Sequence, residues 1–255
     1  DILGAYGLAG LLLVWLFFRR TERTLLVWAS ILGGLLTLFA LLSLFGGLWM
    51  TLNPGAVAAG PGAGPFSLTA TRDLTAGDPS YLGSMINRVT FWAAASPAHL
   101  LGRAIPIRII LGRVAARHGL LDDPAAHRGT LLRLAWVGIP IGLLGGLPGA
   151  LTHVGVLDLH PAASWTFQAF AMATGIAGGI GYAAAFGLLA LAWSHRRPAL
   201  GDALSALGRR SLTFYLFQSV VFAPLLSAWG LGFGADLGTT AALALALAVW
   251  AISLG

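Results

Sequence analysis

Gly208-Arg209-Arg210-Ser211-Leu212-Thr213-Phe214-Tyr215-Leu216-Phe217-Gln218-Ser219 is the stretch whose reading decides the fold. Two arginines open an apolar run, and arginines at the mouth of such a run hold a helix at a membrane surface. Behind them Ser211, Thr213, Tyr215, Gln218 and Ser219 are carried into what the leucines and phenylalanines mark as hydrocarbon. Polar groups there must find partners within the protein. In a helix Ser211, Tyr215, Gln218 and Ser219 fall at i, i+4, i+7 and i+8, which predicts one polar face turned toward other helices or a cavity. Such a face either binds neighbouring helices together or serves a ligand.

The remainder of the chain supports a membrane setting. Of 255 residues, 57% are hydrophobic, only 9% are charged, 35 are glycine, and the mean hydropathy is +0.83. Water could not keep such a chain folded. All 15 basic residues are arginine, and the net charge of +6 raises the question of nucleic acid. The arginines sit at the ends of apolar segments rather than on one soluble face, which excludes that partner and leaves the lipid bilayer. With no cysteine, there is neither a disulfide framework nor a thiolate metal site. A Walker-type loop, a nucleophile elbow and a dinucleotide fingerprint are also missing.

In chain order, apolar segments run over 2–18, 25–50, 89–112, 131–150, 164–193, 211–229 and 237–255. They predict an all-α, polytopic transmembrane helix bundle of about seven spans. Its expected divisions are two N-terminal helices in 1–50, a Gly/Pro-rich extracytoplasmic loop in 51–88, and a C-terminal membrane domain in 89–255. The loop carries Pro54, Pro61, Pro65 and Pro79 and reads first as a disordered surface loop, with a lid as the alternative. Segment three is the least hydrophobic, with His99 and Arg103 one helical turn apart, Arg108 beyond them, and Pro97 and Pro106 in the same stretch. An arginine near mid-bilayer costs on the order of 3 kcal/mol on insertion scales, so it faces a polar interior or an anion. Arg103 is the leading intramembrane candidate, the alternative being a re-entrant segment whose arginines reach water.

Segments four and five are marked by Gly142, Gly145, Gly146 and Gly149, and by Gly175, Gly178, Gly179 and Gly181. Small residues at such spacings let helices approach closely, and segment five is long enough to tilt or bend there. Between them His153, Asp158 and His160 invite a metal reading, but the spacing is loose and a fourth ligand is not evident; no metal is expected. The connections after segments one, three and five hold 3, 4 and 4 arginines, against 2, 0 and 0 in the alternating set. By the positive-inside rule the first set is cytoplasmic, which puts Asp1 at the outer mouth and Arg209 at the inner mouth of the signature helix. The chain opens on Asp1 and stops in an apolar run, which reads as a piece of a longer protein.

The signature, followed by "GLGFGADLG" at 230–238, resembles the C-terminal domain of the YeiB-like proteins, a bacterial membrane family also called domain of unknown function 418. "DILGAYGLAGLLL" at the start, "LLDDPAAHRGTLLRLAWVGIP" in the middle and "TGIAGGIGYAAAFGLLA" before the signature agree with it, so the resemblance spans most of the chain. It implies a multi-pass protein of the bacterial cytoplasmic (inner) membrane, with further helices before the "DIL" motif. It also implies kinship with the acyltransferase-3 and heparan-glucosaminide acetyltransferase-like proteins. On that kinship the first expectation is a membrane-embedded acyltransferase that takes an acyl group from a donor such as acyl-CoA to an extracytoplasmic small-molecule, lipid or glycan acceptor.

Membrane energetics, not the family, assign the roles. His99 is the candidate base, Arg103 the oxyanion or donor-phosphate contact, and Tyr215, Gln218, Ser211, Arg209 and Asp1 the candidate substrate contacts. A second expectation is a permease for a small anionic solute, which a glycine-rich bundle with a buried arginine also suits. A third is a scaffold without chemistry, in which Arg103 and Gln218 tolerate apolar replacement.

Overall fold

The computed structural model describes residues 2–53, 55, 73, 75–102, 104–160, 163, 165–194 and 198–253, with the side chains of 2, 3, 5 and 95–102 excepted. Helix is the regular structure throughout, and no strand occurs among the described residues. The helices are α1 (Ile2–Phe17), α2 (Glu22–Leu52), α3 (Tyr81–Gly102), α4 (Ile105–Arg117), α5 (Arg128–His153), α6 (Thr166–Trp193), α7 (Ala199–Arg209), α8 (Ser211–Leu226) and α9 (Thr239–Ile252).

The protein is an all-helical membrane protein. Three helices, α2, α5 and α6, are long and apolar enough to cross a bilayer, and α1, α8 and α9 are shorter apolar helices. Their apolar surface points outward: Trp15, Phe45, Trp136 and Phe186 are all exposed. Contiguous exposure of that kind marks a surface meant for lipid.

Segment three is not one span. The chain breaks between α3 and α4, where Ala104 takes the left-handed conformation (φ 53°, ψ 22°) and Pro106 enters the first turn of α4. Pro106 has no N–H for the preceding turn, which suits it to the first turn of a new helix; the left-handed Ala104 is what separates the two helices. The expected single span over Val89–Gly112 is thereby corrected to two helices. Of the Gly/Pro-rich lid candidate at 51–88, residues 54, 56–72 and 74 lie outside the described residues, and 81–88 belong to the first turns of α3 rather than to a loop.

The chain forms two compact units, residues 1–62 with 95–192 and residues 63–94 with 193–255. In the first, α4 packs against α1 and α2 through Ala9 with Ile105, and through Leu25 and Ala29 with Ile110. The α1–α2 turn is fixed from α4. Arg113 donates to the Phe18 carbonyl, and Arg117 donates to the Arg20 carbonyl at 2.9 Å. The exposed His118 and Glu22 meet at 2.8 Å. The two arginine contacts satisfy carbonyls of the turn that follows α1.

Helices α5 and α6 meet backbone to backbone. A Cβ built on Gly142 would stand 2.7 Å from the Gly178 Cα, and one on Gly181 would stand 2.6 Å from the Ile139 amide nitrogen. Gly138 and Gly145 face Ala177 and Thr174 just as tightly. The seam on α5 is therefore Gly138, Gly142 and Gly145; Gly146 meets open space. Helix α6 is assigned as a single helix through its glycines.

In the second unit the signature helix α8 ends two residues past Pro224 and folds back on itself. The Leu231 amide donates to the Pro224 carbonyl at 2.8 Å, and Gly232 turns the chain at φ 68°. A side chain at Gly230 would strike the Pro224 carbonyl, which is why the motif needs glycine there. Arg88 clasps this turn, its Nε donating to the Thr75 carbonyl at 2.6 Å and its Nη2 to the hydroxyl of buried Ser227 at 2.8 Å.

Candidate functional site

A cavity of about 670 Å³ opens in the first unit between α4, α5 and α6. One wall is the α4 face made by Arg108, Leu111, Gly112 and Ala115, spaced i, i+3, i+4 and i+7 as a single helix face requires. Gly175, Gly179 and Ala183 of α6 form the opposite wall, Leu131 and Leu134 of α5 the floor, and Asp122 stands at the α4–α5 turn. A Cβ added to Gly112, Gly175 or Gly179 would meet nothing within 4 Å, so these glycines give the groove its width. The size falls within the range of about 300–1,000 Å³ usual for small-molecule sites.

Arg108 and Asp122 are the charged residues of the lining. Arg108 donates to the Tyr6 phenol over a long 3.4 Å. Among the described residues no carboxylate pairs with Arg108. Its position follows from helix geometry. Arg108 lies nine residues before Arg117 on α4, and Tyr6 lies twelve before Phe18; at 1.5 Å per residue both stand about 14–18 Å from the arginine-rich turn. The groove thus runs along α4 from Asp122 at that turn to the exposed Arg108.

The sequence candidates fare unevenly. Asp1 and Arg103 lie outside the described residues, as does the side chain of His99, whose backbone is placed in α3. Arg209 closes α7 and Ser211 opens α8, both exposed, while Tyr215 and Gln218 are half-buried on the same helix. Ser219 donates its hydroxyl to the Tyr215 carbonyl at 3.2 Å, which occupies it within its own helix. Arg209, Ser211, Tyr215 and Gln218 all belong to the second unit. Among the described residues no group of three metal ligands forms, and the His160 amide instead donates to the Thr51 hydroxyl at 3.4 Å. Arg108 had been visible as the third polar residue of segment three. Its signal is the spacing to Leu111, Gly112 and Ala115, which puts the four on one face of α4.

The family described as "Protein of unknown function (DUF418)" matches residues 115–255, more than half of the chain. The chain belongs to the DUF418 family. The matched region holds the α5 and α6 walls of the groove, Asp122 and the signature helix; Arg108 and Tyr6 precede it. The chain is also similar to the "Uncharacterized protein YxaH" of Bacillus subtilis (strain 168), at 27% identity over 261 residues, with all of this chain and 60% of the relative covered. It therefore spans less than two thirds of the length of that curated relative. No solved structure matches it.

Proposed function

We propose that this DUF418 protein is a membrane-embedded acyltransferase whose acyl donor occupies the α4–α6 groove. The observation that carries the reading is the groove itself, an apolar, glycine-widened trough that ends on the cation Arg108. The arginine distribution makes the α1–α2 and α4–α5 turns cytoplasmic. A thioester such as acyl-CoA would enter there, with its phosphates outside and its slender arm between α4 and α6. Arg108 then stands where the thioester oxygen gains charge, the position at which a fixed cation in a dry site lowers a barrier most.

In the transfer step an acceptor hydroxyl oxygen bonds to the thioester carbon and the carbon–sulfur bond breaks. The hydroxyl proton passes to a base and then to the departing thiolate. His99 is the base we assign, with Arg103 as a second contact to the developing oxyanion, and the acceptor is a small molecule, lipid or glycan on the opposite face. Tyr215, Gln218, Ser211, Arg209 and Asp1 remain assigned to substrate contact. The test is equilibrium binding and turnover of acyl-CoA by the purified protein. Saturable binding lost in Arg108→Gln, with release of free thiol lost in His99→Ala, supports the reading; absence of any acyl-CoA binding to folded wild type sinks it.

A permease for a small anionic solute is the second reading, favoured by an Arg108 that pairs with no carboxylate among the described residues. The apolar walls count against it, since they offer a hydrophilic solute one cation and little else. Solute uptake into proteoliposomes that disappears in Arg108→Gln, without acyl-CoA binding, would favour the permease.

A further inference from the structure

Helix α7 has no role in the groove, buries none of its residues, and is too short to cross a bilayer. Its 11 residues extend about 16 Å at 1.5 Å each. Its sidedness is nonetheless sharp. Leu200, Leu204 and Leu207 recur at i, i+4 and i+7, while Asp202, Ser205 and Arg209 recur at i, i+3 and i+7 on the opposite side. The polar set is exposed; Leu204 and Leu207 are half-buried and Leu200 is exposed.

Both ends are tied to apolar chain. At the start, Gly201 lies under the indole of Trp193, where a Cβ would come within 3.0 Å of the ring. At the end, one residue makes the junction: the Arg210 amide donates to the Ala206 carbonyl at 3.2 Å, and the Arg210 carbonyl accepts from the Phe214 amide of α8 at 3.1 Å. A short amphipathic helix held between apolar segments lies along a membrane surface, with its leucines among acyl chains and its polar side in the headgroups. The charge there is one-signed: residues 195–210 contain four arginines and one acid, Asp202.

We infer that α7 is an interfacial helix that recognises anionic phospholipid headgroups through Arg209 and Arg210. Charge complementarity selects the occupant. An arginine at a bilayer surface is drawn to anionic lipid and indifferent to zwitterionic lipid, and a guanidinium also donates a paired set of hydrogen bonds to phosphate. The inference does not depend on acyl transfer, and a protein that never binds acyl-CoA would test it equally well.

The experiment is competition for the purified full chain between phosphatidylglycerol and phosphatidylcholine at equal concentration, read by native mass spectrometry of retained lipid. Wild type is expected to retain phosphatidylglycerol preferentially. The preference should fall by roughly ten-fold in Arg209→Gln/Arg210→Gln, each charge near the surface contributing a few-fold, and persist in Arg209→Lys/Arg210→Lys. Should the glutamine variant fail to fold, Ser205→Arg supplies the converse, since a cation added to the polar side should raise the preference. Equal retention of the two lipids by wild type overturns the inference, as does an unchanged preference in both the glutamine and Ser205→Arg variants. Displacement of lipid by inorganic phosphate, beyond that by chloride at matched ionic strength, would assign the arginines to a soluble phosphate and equally overturn it.

Discussion

Helix α6 carries glycine on two faces, and the two do opposite work. Gly178 and Gly181 are pressed against the backbone of α5, where a single added carbon would collide with main chain. Gly175 and Gly179, about 110° around the same helix at 3.6 residues per turn, look into the groove and touch nothing that a carbon would displace. In water, glycine inside a helix is mostly a liability. In a membrane, where apolar side chains gain little by leaving lipid, helices associate through close van der Waals contact. The first pair supplies that contact, and the second withholds it to leave a space.

The largest effect should come from filling the seam. Gly178→Leu places a branched side chain against the Gly142 backbone, and neither main chain can retreat without parting α5 from α6. Overpacking of a well-filled interior costs about 1–3 kcal/mol and more where backbone must move. The expected outcome is loss of folded protein in detergent, read by size-exclusion recovery and thermal unfolding. Filling the groove instead, with Gly179→Leu, should leave the unfolding midpoint close to wild type and reduce acyl-CoA binding at least ten-fold. If Gly179→Leu unfolds the protein as Gly178→Leu does, the groove is packing rather than a site.

Removing the cation sharpens the contrast from the other wall. An arginine at mid-helix is disfavoured by about 2.5–3.5 kcal/mol on insertion scales. Arg108→Gln is therefore expected to be at least as stable as wild type, while donor binding falls well below detection of the wild-type constant. A midpoint that drops by many degrees would recast Arg108 as a structural partner of Tyr6.

These comparisons also mark how far the sequence could be read. Apolar length and arginine placement identify a helical membrane protein, because burial of backbone polar groups leaves so few alternatives in lipid. The signature around Arg209–Ser219 identifies the family. Spacing alone could not separate Gly142 from Gly146, or Gly178 from Gly179: both members of each pair suit a small-residue stripe, and only the rotation of the helix against its neighbour decides which one faces a partner. The preference for Arg103 over Arg108 followed from treating segment three as one rod. The left-handed Ala104 resets the helical phase after it, so a continuous count from His99 does not carry over to Arg108, which shares a face with Leu111 and Ala115 by their own spacing on α4. The Arg88 clasp joins residues 139 positions apart, beyond any local pattern.

The smallest expected effect is the most discriminating, because it changes sign. Gly179→Ala adds one carbon in helical backbone with open space beyond it. Lower entropy of the unfolded chain should then stabilise the protein by about 0.5–1 kcal/mol. Gly142→Ala adds the same carbon 2.7 Å from the Gly178 Cα, a distance that real contacts do not show, and the backbone there has no rotamer with which to yield. Its entropic gain is the same, yet the steric term is larger, so the midpoint should fall. Thermal unfolding of the two single variants and of the double in one detergent measures both signs, and the double should be close to additive because the groove and seam faces share no partner. Two shifts of the same sign would mean that α5 and α6 do not meet at Gly142 and Gly178, and the groove beside that seam would lose the wall that shapes it.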